Sequence, residues 1–278
     1  MTRLLPTDIN DIPTGIEKYD LELKRKTGSS LKDIAIIASG LEKANLEEAV
    51  LRVAVIPVSV GLGPISGFSA AVNAIASHIG FDSYVTGLPD VGGLDEAFRN
   101  EADIVMMADD YLFAAFNLQD RQVVSNDEAT ARGYVTALSC MAGSLCKKFV
   151  LLTGAGRLGI LAADLLADRQ TKLIIYDPDR SREKELAEKI IEKYGATVFT
   201  GMELPEALNR CEAVFDASPG CAFIKGDYIK SGTLVAAPGM PLGLDAEAYA
   251  KVAERTIHDP LQIGVATMLY CSLAVHRS

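Results

Sequence analysis

An apolar run, a glycine-rich turn and an apolar-faced helix, in that order, constrain the fold of this chain more than any other feature. Residues 149–153 read Phe-Val-Leu-Leu-Thr and predict a buried strand, and residues 160–166 predict a helix. The hexapeptide between them is Gly154-Ala155-Gly156-Arg157-Leu158-Gly159, a GxGxxG pattern. The pattern alone is a weak indication, but with a strand before it and a helix after it the pattern is typical of a Rossmann dinucleotide-binding unit. The alternative is a glycine turn that only packs the strand on the helix.

Each glycine of the turn has a physical purpose in such a unit. Gly154 permits a tight turn, Gly156 lets the backbone approach a diphosphate, and Gly159 lets the helix and the strand pack closely. The unpaired N–H groups and the positive end of the helix dipole attract the diphosphate. We therefore expect cofactor contacts at Gly154, Gly156, Arg157, Leu158 and Gly159.

An acidic residue ends the next predicted strand, residues 172–176. Asp177 stands about 20 residues after the glycines, where the fingerprint places an acid that binds the adenosine ribose. Because a carboxylate repels a 2′-phosphate, we expect NAD rather than NADP as the cofactor. Arg180 is near enough in sequence to pair with a 2′-phosphate, which keeps NADP open as an alternative and makes Arg180 a candidate cofactor contact.

Two later turns belong to the same predicted sheet. Ser218 and Pro219 follow one strand, and Pro238 follows the next. Ligands of open α/β sheets bind at the carboxyl ends of the strands, so these residues are candidates to frame the nicotinamide. Pro-Gly pairs also make ordinary turns, and the sequence does not decide between the two interpretations.

Strand-length apolar runs alternate with helical patterns along nearly the whole chain, which predicts an α/β architecture with parallel sheets. We predict an N-terminal α/β substrate domain, residues 1–146, followed by a C-terminal Rossmann-type doubly wound parallel sheet, residues 147–278. The predicted strands are residues 52–58, 83–86, 103–108, 149–153, 172–176, 213–216 and 233–236, and the predicted helices are residues 67–79, 94–100, 127–145, 158–168, 181–194 and 262–276. Residues 6–25 predict short helices interrupted by Pro13. The last helix is apolar enough to dock against either domain or a second subunit.

Composition restricts the classes of partner. With 49% hydrophobic residues the 278-residue chain can bury a real core, and a net charge of −10 disfavours nucleic acid and anionic membranes as partners. No apolar stretch reaches the roughly 18 residues of a membrane span, so we expect a soluble, cytoplasmic protein that binds a small molecule. The five cysteines and three histidines are scattered, and we expect no metal site. The oligomeric state stays open, with a homodimer among the alternatives.

Two adjacent carboxylates, Asp109 and Asp110, end the predicted strand of residues 103–108. Neighbouring side chains point in different directions, so one carboxylate can face a cleft while the other caps a following helix. The alternative is that both only form a turn. A second turn, Ser59-Val60-Gly61-Leu62-Gly63, also follows a strand, and a loop that contacts substrate and a plain tight turn are equally good interpretations of it.

The sequence resembles the pyrrolysine synthase family in motifs spread over both halves. The similar segments are Ile56-Pro57-Val58, Phe68-Ser69, Asn73-Ala74-Ile75, Gly80-Phe81-Asp82-Ser83, Pro89-Asp90-Val91, Met107-Ala108-Asp109-Asp110, Asn117-Leu118, Tyr176-Asp177, Asp179-Arg180, Pro238-Gly239, Asp259-Pro260-Leu261, Ile263-Gly264 and Met268-Leu269-Tyr270. Since most of these lie outside the cofactor fingerprint, the resemblance is more specific than a shared fold. The glycine loop departs from the family's Thr-Ser-Gly-Asn-Gly and has Ser59-Val60-Gly61-Leu62-Gly63 instead.

The resemblance implies a defined reaction. The substrate is L-lysine carrying 3-methyl-D-ornithine on its ε-nitrogen, and NAD oxidises the carbon that bears the terminal ornithine amine. Ring closure onto the α-amine with loss of ammonia then gives pyrrolysine. A primary ammonium, with a pKa near ~10, must lose a proton before it yields hydride, so we expect Asp109 either to accept that proton or to hold the cationic amine.

The resemblance also implies substrate contacts. They are Leu4, Ser59, Val60, Phe68, Ala108 and Asn126. The opening helix, with Leu4, is expected to close over the substrate, and a helix that only covers the core is the alternative. Two other functions remain: an NAD-dependent dehydrogenase of another diamine or amino acid, and a non-catalytic NAD-sensing module in which Asp109 only caps.

Overall fold

The computed structural model describes residues 4–42 and 51–274, which contain two sheets with helices around them. The first sheet has the order β2-β1-β3-β4-β5. Its strands are β1 (Arg52–Ile56), β2 (Asp82–Val85), β3 (Ile104–Ala108), β4 (Phe113–Asn117) and β5 (Gln122–Ser125). The helices of this half are α1 (Pro6–Ile9), α2 (Ile12–Thr27), α3 (Leu31–Ser39), α4 (Phe68–His78), α5 (Asp90–Arg99) and α6 (Asn126–Ala142).

The first sheet is mixed rather than parallel throughout. Strands β1, β2 and β3 run parallel, as the sequence predicts, and β1 is buried along nearly its whole length, as parallel strands covered on both faces usually are. Strands β4 and β5 pair antiparallel, because the chain turns straight back after Asp110. The prediction that one carboxylate of the Asp109-Asp110 pair caps a following helix is therefore wrong, since the next element is a strand.

The second sheet is parallel in every pairing and has the order β11-β10-β9-β6-β7-β8. Its strands are β6 (Phe149–Thr153), β7 (Lys172–Tyr176), β8 (Val198–Phe199), β9 (Ala213–Asp216), β10 (Leu234–Ala236) and β11 (Thr256–Ile257). Its helices are α7 (Arg157–Asp168), α8 (Arg180–Tyr194), α9 (Leu204–Arg210) and α10 (Ala246–Val252), followed by a short 3₁₀ helix (Ala253–Arg255). The chain leaves β6 toward β7 and then returns to β9 on the other side, so the predicted doubly wound Rossmann sheet is confirmed, with its switch point between β6 and β9.

Helix α6 lies between the two sheets. It packs against α7 and β10 of the second half and against α2, α3 and β5 of the first half. The last helix, α11 (Gln262–Leu273), is buried along nearly its whole length and packs against α3, α4 and α6. It therefore docks on the N-terminal elements of its own chain. The end of its predicted span, residues 275–276, lies outside the described residues.

Two glycines allow α6 and α11 to approach closely. A Cβ at Gly133 would lie 2.5 Å from both Ile263 Cγ2 and Thr267 Oγ1 of α11. On the other helix, a Cβ at Gly264 would lie 2.7 Å from Thr130 Oγ1 of α6. Real Cβ contacts are almost never this short, so the separation of the two helices depends on these glycines.

None of the helices within residues 4–42 and 51–274 has the length and apolar character that a membrane crossing requires.

The close approach of the two helices can be tested with two glycine-to-alanine variants. Gly133→Ala should lower the free energy of unfolding by about 1–3 kcal/mol, because the added methyl overpacks the helix contact. Gly15→Ala in α2 is the matched control, since nothing lies within 4 Å of its Cβ position. There the better helix propensity of alanine should raise the free energy by about 0.5–1 kcal/mol. Urea unfolding measures both values, and equal stabilisation by the two variants would contradict the packing.

Candidate active site

Two of the three fingerprint glycines are required by the fold of the turn itself. Gly154 has φ +90°, a conformation that favours glycine, and its N–H donates to Tyr176 O at 2.9 Å. A Cβ at Gly159 would lie 1.8 Å from Gly154 O. The turn and the start of α7 are therefore in contact without room for side chains at these two positions.

Gly156 differs from the other two glycines. Its φ of −80° suits any residue, and nothing lies within 4 Å of its Cβ position. Gly156 is also the N-cap of α7, so no side chain covers the N–H groups of the first helical turn. The space beside the positive end of α7 fits a diphosphate, which explains why a glycine stands where the fold alone does not require one.

Asp177 follows β7 and contacts the glycine turn directly. Its Oδ2 accepts the N–H of Ala155 at 2.8 Å, and its Oδ1 accepts the N–H of Asp179 at 2.8 Å. Both carboxylate oxygens keep a further lone pair for a sugar hydroxyl. Asp177 therefore orients the turn that receives the diphosphate and lies where the adenosine ribose is expected.

Arg180, the alternative partner for a 2′-phosphate, is already paired. Its guanidinium donates to Glu183 Oε2 at 2.7 Å and to Glu203 Oε1 at 2.8 Å. Glu183 is buried, with 1% of its side chain exposed, and hydrogen bonding to its carboxylate raises the pKa of Arg180. An NADP phosphate would have to replace these two carboxylates, so the geometry favours NAD.

The turn after β9 lies against the glycine turn. Asp216 pairs with Thr153 in the sheet register, and a Cβ at Gly154 would lie 3.0 Å from Ser218 N. Pro219 next to it is exposed, and Pro238 after β10 is half-buried. Ser218 thus lies beside the glycine turn, at the switch point of the sheet.

A side-chain contact links the carboxyl edge of the first sheet to the glycine turn of the second. In the first sheet Met107, Ala114 and Ser125 are aligned across three strands, so the start of α6 lies at the same edge as Asp109. From that start, Asp127 Oδ2 pairs with the Nη2 atom of Arg157 at 2.9 Å. This ion pair joins the edge that carries Asp109 to the turn that carries the glycines.

A cavity opens at the carboxyl edge of the first sheet. It is lined by Val55, Ile56, Pro57, Val58, Val60, Gly63, Pro64, Ile65, Phe68, Ser69, Met106, Met107, Ala108, Asp109, Asp110 and Phe113. Four predicted site residues therefore lie together: Val60, Phe68, Ala108 and Asp109. Most of the lining side chains are apolar, and the polar side chains among them are Ser69, Asp109 and Asp110.

Three other predicted substrate contacts are not among the residues that line this cavity. Ser59 donates its hydroxyl and its N–H to Asp90, the latter at 2.9 Å. Leu4 is half-buried and packs against the hydrophobic core, and Asn126 lies beside Gly264, where a Cβ would be 2.9 Å from its Oδ1 atom. In this conformation each of the three has a structural contact.

Asp109 and Asp110 do not divide into one carboxylate that faces a cleft and one that caps a helix, as expected from the sequence. Asp109 Oδ1 accepts the N–H groups of Tyr111 at 2.8 Å and Leu112 at 2.7 Å, and these bonds lower the pKa of Asp109. Its Oδ2 accepts no hydrogen bond from the part of the chain that the structure describes. Asp110 Oδ2 instead accepts the N–H of Leu62 at 2.8 Å and so holds the glycine loop. Asp109 therefore forms the turn and still offers one ionised oxygen to a ligand.

The parallel sheet, the glycine turn and the acid after β7 define a Rossmann-type oxidoreductase fold. Solved structures agree. Quinate dehydrogenase from Corynebacterium glutamicum in complex with NAD matches with a TM-score of 0.51 and 16% identity, over 80% of this chain and 92% of that one. Shikimate 5-dehydrogenase from Thermus thermophilus, in complex with NADP(H) and shikimate, matches with a TM-score of 0.53 and 15% identity, over 81% and 94%. At such identities the likeness shows the fold alone.

Sequence comparison is more specific. Residues 8–124 match the family described as "Pyrrolysine biosynthesis protein PylD, N-terminal domain". The pyrrolysine synthase of Methanosarcina acetivorans is 33% identical over 273 residues, which cover 98% of this chain and 100% of that protein. The chain belongs to the pyrrolysine synthase family.

Two of the fingerprint glycines, Gly156 and Gly159, should respond differently to alanine. Gly156→Ala should leave the free energy of unfolding within about 0.5 kcal/mol, because its methyl meets empty space. The same methyl should weaken NAD binding by at least about tenfold, since it stands where the diphosphate must approach. Gly159→Ala should instead destabilise the fold by about 1–3 kcal/mol. Calorimetric titration measures NAD affinity, and urea unfolding measures stability. Normal NAD affinity in Gly156→Ala would show that the diphosphate does not bind at this turn.

Proposed function

We propose that the protein uses NAD to oxidise the terminal amine of the methyl-D-ornithine part of L-lysine-Nε-3-methyl-D-ornithine. Loss of ammonia and closure of the ring would then give pyrrolysine. The observation that carries this proposal is the Asp127–Arg157 ion pair, 2.9 Å long, between the starts of α6 and α7. It links the sheet edge where Asp109 lies to the helix that begins at the glycine turn.

The cofactor half of the proposal rests on contacts within the second sheet. Gly156 leaves space beside the positive end of α7, and Asp177 has lone pairs available for a ribose. NAD, when bound, supplies the acceptor for the hydride. Glu183 and Glu203 keep Arg180 occupied, which supports NAD over NADP.

The substrate half rests on the cavity at Asp109. An apolar wall suits the methylene chain of an ornithine side chain, and a carboxylate beside it suits the terminal ammonium. Because the pKa of Asp109 is lowered, the group is ionised at neutral pH and is a poor match for taking a proton from an amine with a pKa near ~10. We therefore assign Asp109 to holding the ammonium by ion pairing, rather than to general-base catalysis.

Positioning explains how this contact promotes the reaction. Asp109 would hold the nitrogen first as the ammonium and then, after a proton is lost to solvent, as the neutral amine whose N–H donates to the carboxylate. The neighbouring carbon would then be oriented to give up hydride to NAD. The oxidised carbon becomes an imine, the α-amine of the ornithine part attacks it, and ammonia leaves as the ring forms. Closure of the cleft would exclude the water that hydrolyses an imine.

A second function is a dehydrogenase for another diamine or amino acid. The glycine loop supports it, because Val60 and Leu62 stand where the family has polar side chains, and both are exposed. The same machinery would then act on a more apolar substrate.

The proposal also includes the class of partner and the cellular location of the protein. The net charge of −10 supports a small-molecule partner rather than nucleic acid or an anionic membrane, and a cytoplasmic location is consistent with a biosynthetic enzyme.

The proposed reaction is tested by NADH formation. Absorbance of the reduced cofactor should rise with the lysine-ornithine isopeptide and not with lysine or ornithine alone. Mass spectrometry should find a product lighter by one ammonia and two hydrogens. Turnover with free ornithine or another diamine only would favour the second function. NAD binding without turnover of any of these would favour a non-catalytic NAD sensor.

Asp109→Asn tests the role of the carboxylate in that reaction. The amide oxygen can still accept the two N–H groups of the turn, but the charge is lost, so NADH formation should fall by at least about 100-fold. NAD affinity should remain within about twofold. The control is Asp103→Asn, which removes one charge just before the other end of β3, where Asp103 accepts from Arg52 N and Gln119 Nε2. Equal turnover in the two variants would exclude Asp109 from the mechanism.

A further inference from the structure

A buried carboxylate, Asp216, lies at the end of β9 with no role yet assigned. It is 1% exposed and stands at the switch point between β6 and β9. Strands β7 and β8 extend the sheet on one side of β6 and strands β9, β10 and β11 extend it on the other, so a dinucleotide would cross the sheet at the crevice between β6 and β9. The position of Asp216 therefore connects it to the proposed cofactor site.

One oxygen of Asp216 accepts three hydrogen bonds. Its Oδ1 accepts the hydroxyl of Thr153 at 2.7 Å, the hydroxyl of Ser218 at 2.7 Å and the N–H of Ser218 at 3.1 Å. The other oxygen lies against the main chain at Gly243, where a Cβ would be 2.1 Å away. The carboxylate thus determines the orientation of the Ser218 hydroxyl.

The orientation decides which partner Ser218 can take. A serine hydroxyl has a single proton, and here that proton is directed to Asp216. The lone pairs of Ser218 Oγ remain, and the residue is half-buried rather than covered. Ser218 can therefore accept a hydrogen bond from a ligand but cannot donate one.

Protonation of Asp216 does not change this polarity. Burial raises the pKa of Asp216, and the hydrogen bonds from Thr153 and Ser218 oppose the rise. Since Oδ1 already accepts three donors, a proton taken up by the group would reside on Oδ2. Ser218 stays an acceptor in either state.

The nearest donor in a dinucleotide at this turn is a sugar. Ser218 N is 3.0 Å from the Cβ position of Gly154, so Ser218 lies close to the diphosphate. Asp177 occupies the β7 side, where the adenosine ribose is expected, and Ser218 occupies the β9 side. The sugar attached to the diphosphate on that side is the nicotinamide ribose, whose hydroxyls can donate.

We propose that Asp216 is a positioning residue that makes Ser218 an obligate hydrogen-bond acceptor for a hydroxyl of the nicotinamide ribose. The inference rests on the proposed NAD site and deepens it. Each ribose of the dinucleotide would then be bound with the help of a carboxylate. Asp177 would accept from the adenosine ribose directly, and Asp216 would act on the nicotinamide ribose through Ser218.

A series of cofactor fragments tests the contact by calorimetric titration. Wild-type protein is measured first with NAD, ADP-ribose and ADP. Ser218→Ala should weaken NAD and ADP-ribose by about 2- to 10-fold, the size of one neutral hydrogen bond, and should leave ADP unchanged because ADP lacks the second sugar. Failure of the wild type to bind NAD or ADP-ribose would overturn the NAD site and this inference together.

Other outcomes distinguish a contact between Ser218 and the nicotinamide ribose from a contact with the nicotinamide ring or a change in the turn itself. A loss with NAD but not with ADP-ribose would move the contact to the nicotinamide ring and overturn the proposal. A loss of similar size with ADP would mean that the turn itself had changed, which also overturns it. If Ser218→Ala binds NAD, ADP-ribose and ADP with unchanged affinity, the NAD site stands but Ser218 does not contact the cofactor, and the proposal is wrong.

The role of Asp216 is tested in the same assay. Asp216→Ala removes the acceptor of the Ser218 proton. It should weaken NAD and ADP-ribose in the wild-type background and should cause no further loss in Ser218→Ala, because the two residues act through one hydroxyl. Thr153→Val is the matched control: it removes the other hydroxyl on Oδ1 and should keep both affinities within about twofold. Additive losses from Asp216→Ala and Ser218→Ala would show that Asp216 does not act through Ser218. If Asp216→Ala does not fold, the fragment series on Ser218→Ala still decides the contact.

Discussion

The position of one sheet relative to the other depends on a buried hydrogen-bond cluster around Asp259. Tyr134 of α6 and Tyr19 of α2 donate to its Oδ2 atom at 2.8 and 2.7 Å, and Asp259 stands two residues after the end of β11. Burial raises the pKa of Asp259, and the two tyrosine hydroxyls oppose the rise. A buried acceptor with two such donors is costly to separate from them. The cluster therefore ties two helices of the first half to the edge of the second sheet, and α6 in turn places Asp127 beside Arg157.

The local features of the fold were predictable, and the tertiary ones were not. The glycine turn is specified by residues next to each other, since Gly154 and Gly159 meet within one turn. Helix α6 was predicted as a helix, but its place between the sheets depends on Gly133 meeting α11, which comes much later in the chain. Helix α11 is apolar on all sides, and such a pattern predicts burial without naming the partner. The antiparallel pair β4 and β5 was missed because a single turn at Asp109 replaces the expected crossover.

The candidate site divides in the same way. Asp109 and Asp177 were found because each ends a strand, and strand ends collect function in α/β proteins. The other acids act on partners distant in sequence: Asp90 holds Ser59, Asp127 holds Arg157, and Asp216 holds Thr153. Their spacing carries no periodic signal, so only the folded chain identifies them. The expectation that one of Asp109 and Asp110 caps a helix failed for a related reason, because the N–H groups that Asp109 accepts belong to a turn whose shape the sequence did not reveal.

Charge explains how one acidic chain could receive two ligands of opposite sign. The carboxylates Asp109 and Asp110 line the cavity of the first sheet and favour a cation there. On the other edge the uncapped N-terminus of α7 and Arg157 favour an anion, against the chain's net charge of −10. Arg157 is 73% exposed, so its pair with Asp127 contributes less than about 1 kcal/mol and a diphosphate can compete for the guanidinium. The weak ion pair thus leaves the guanidinium available to the cofactor, and each ligand would be drawn to the edge whose charge suits it.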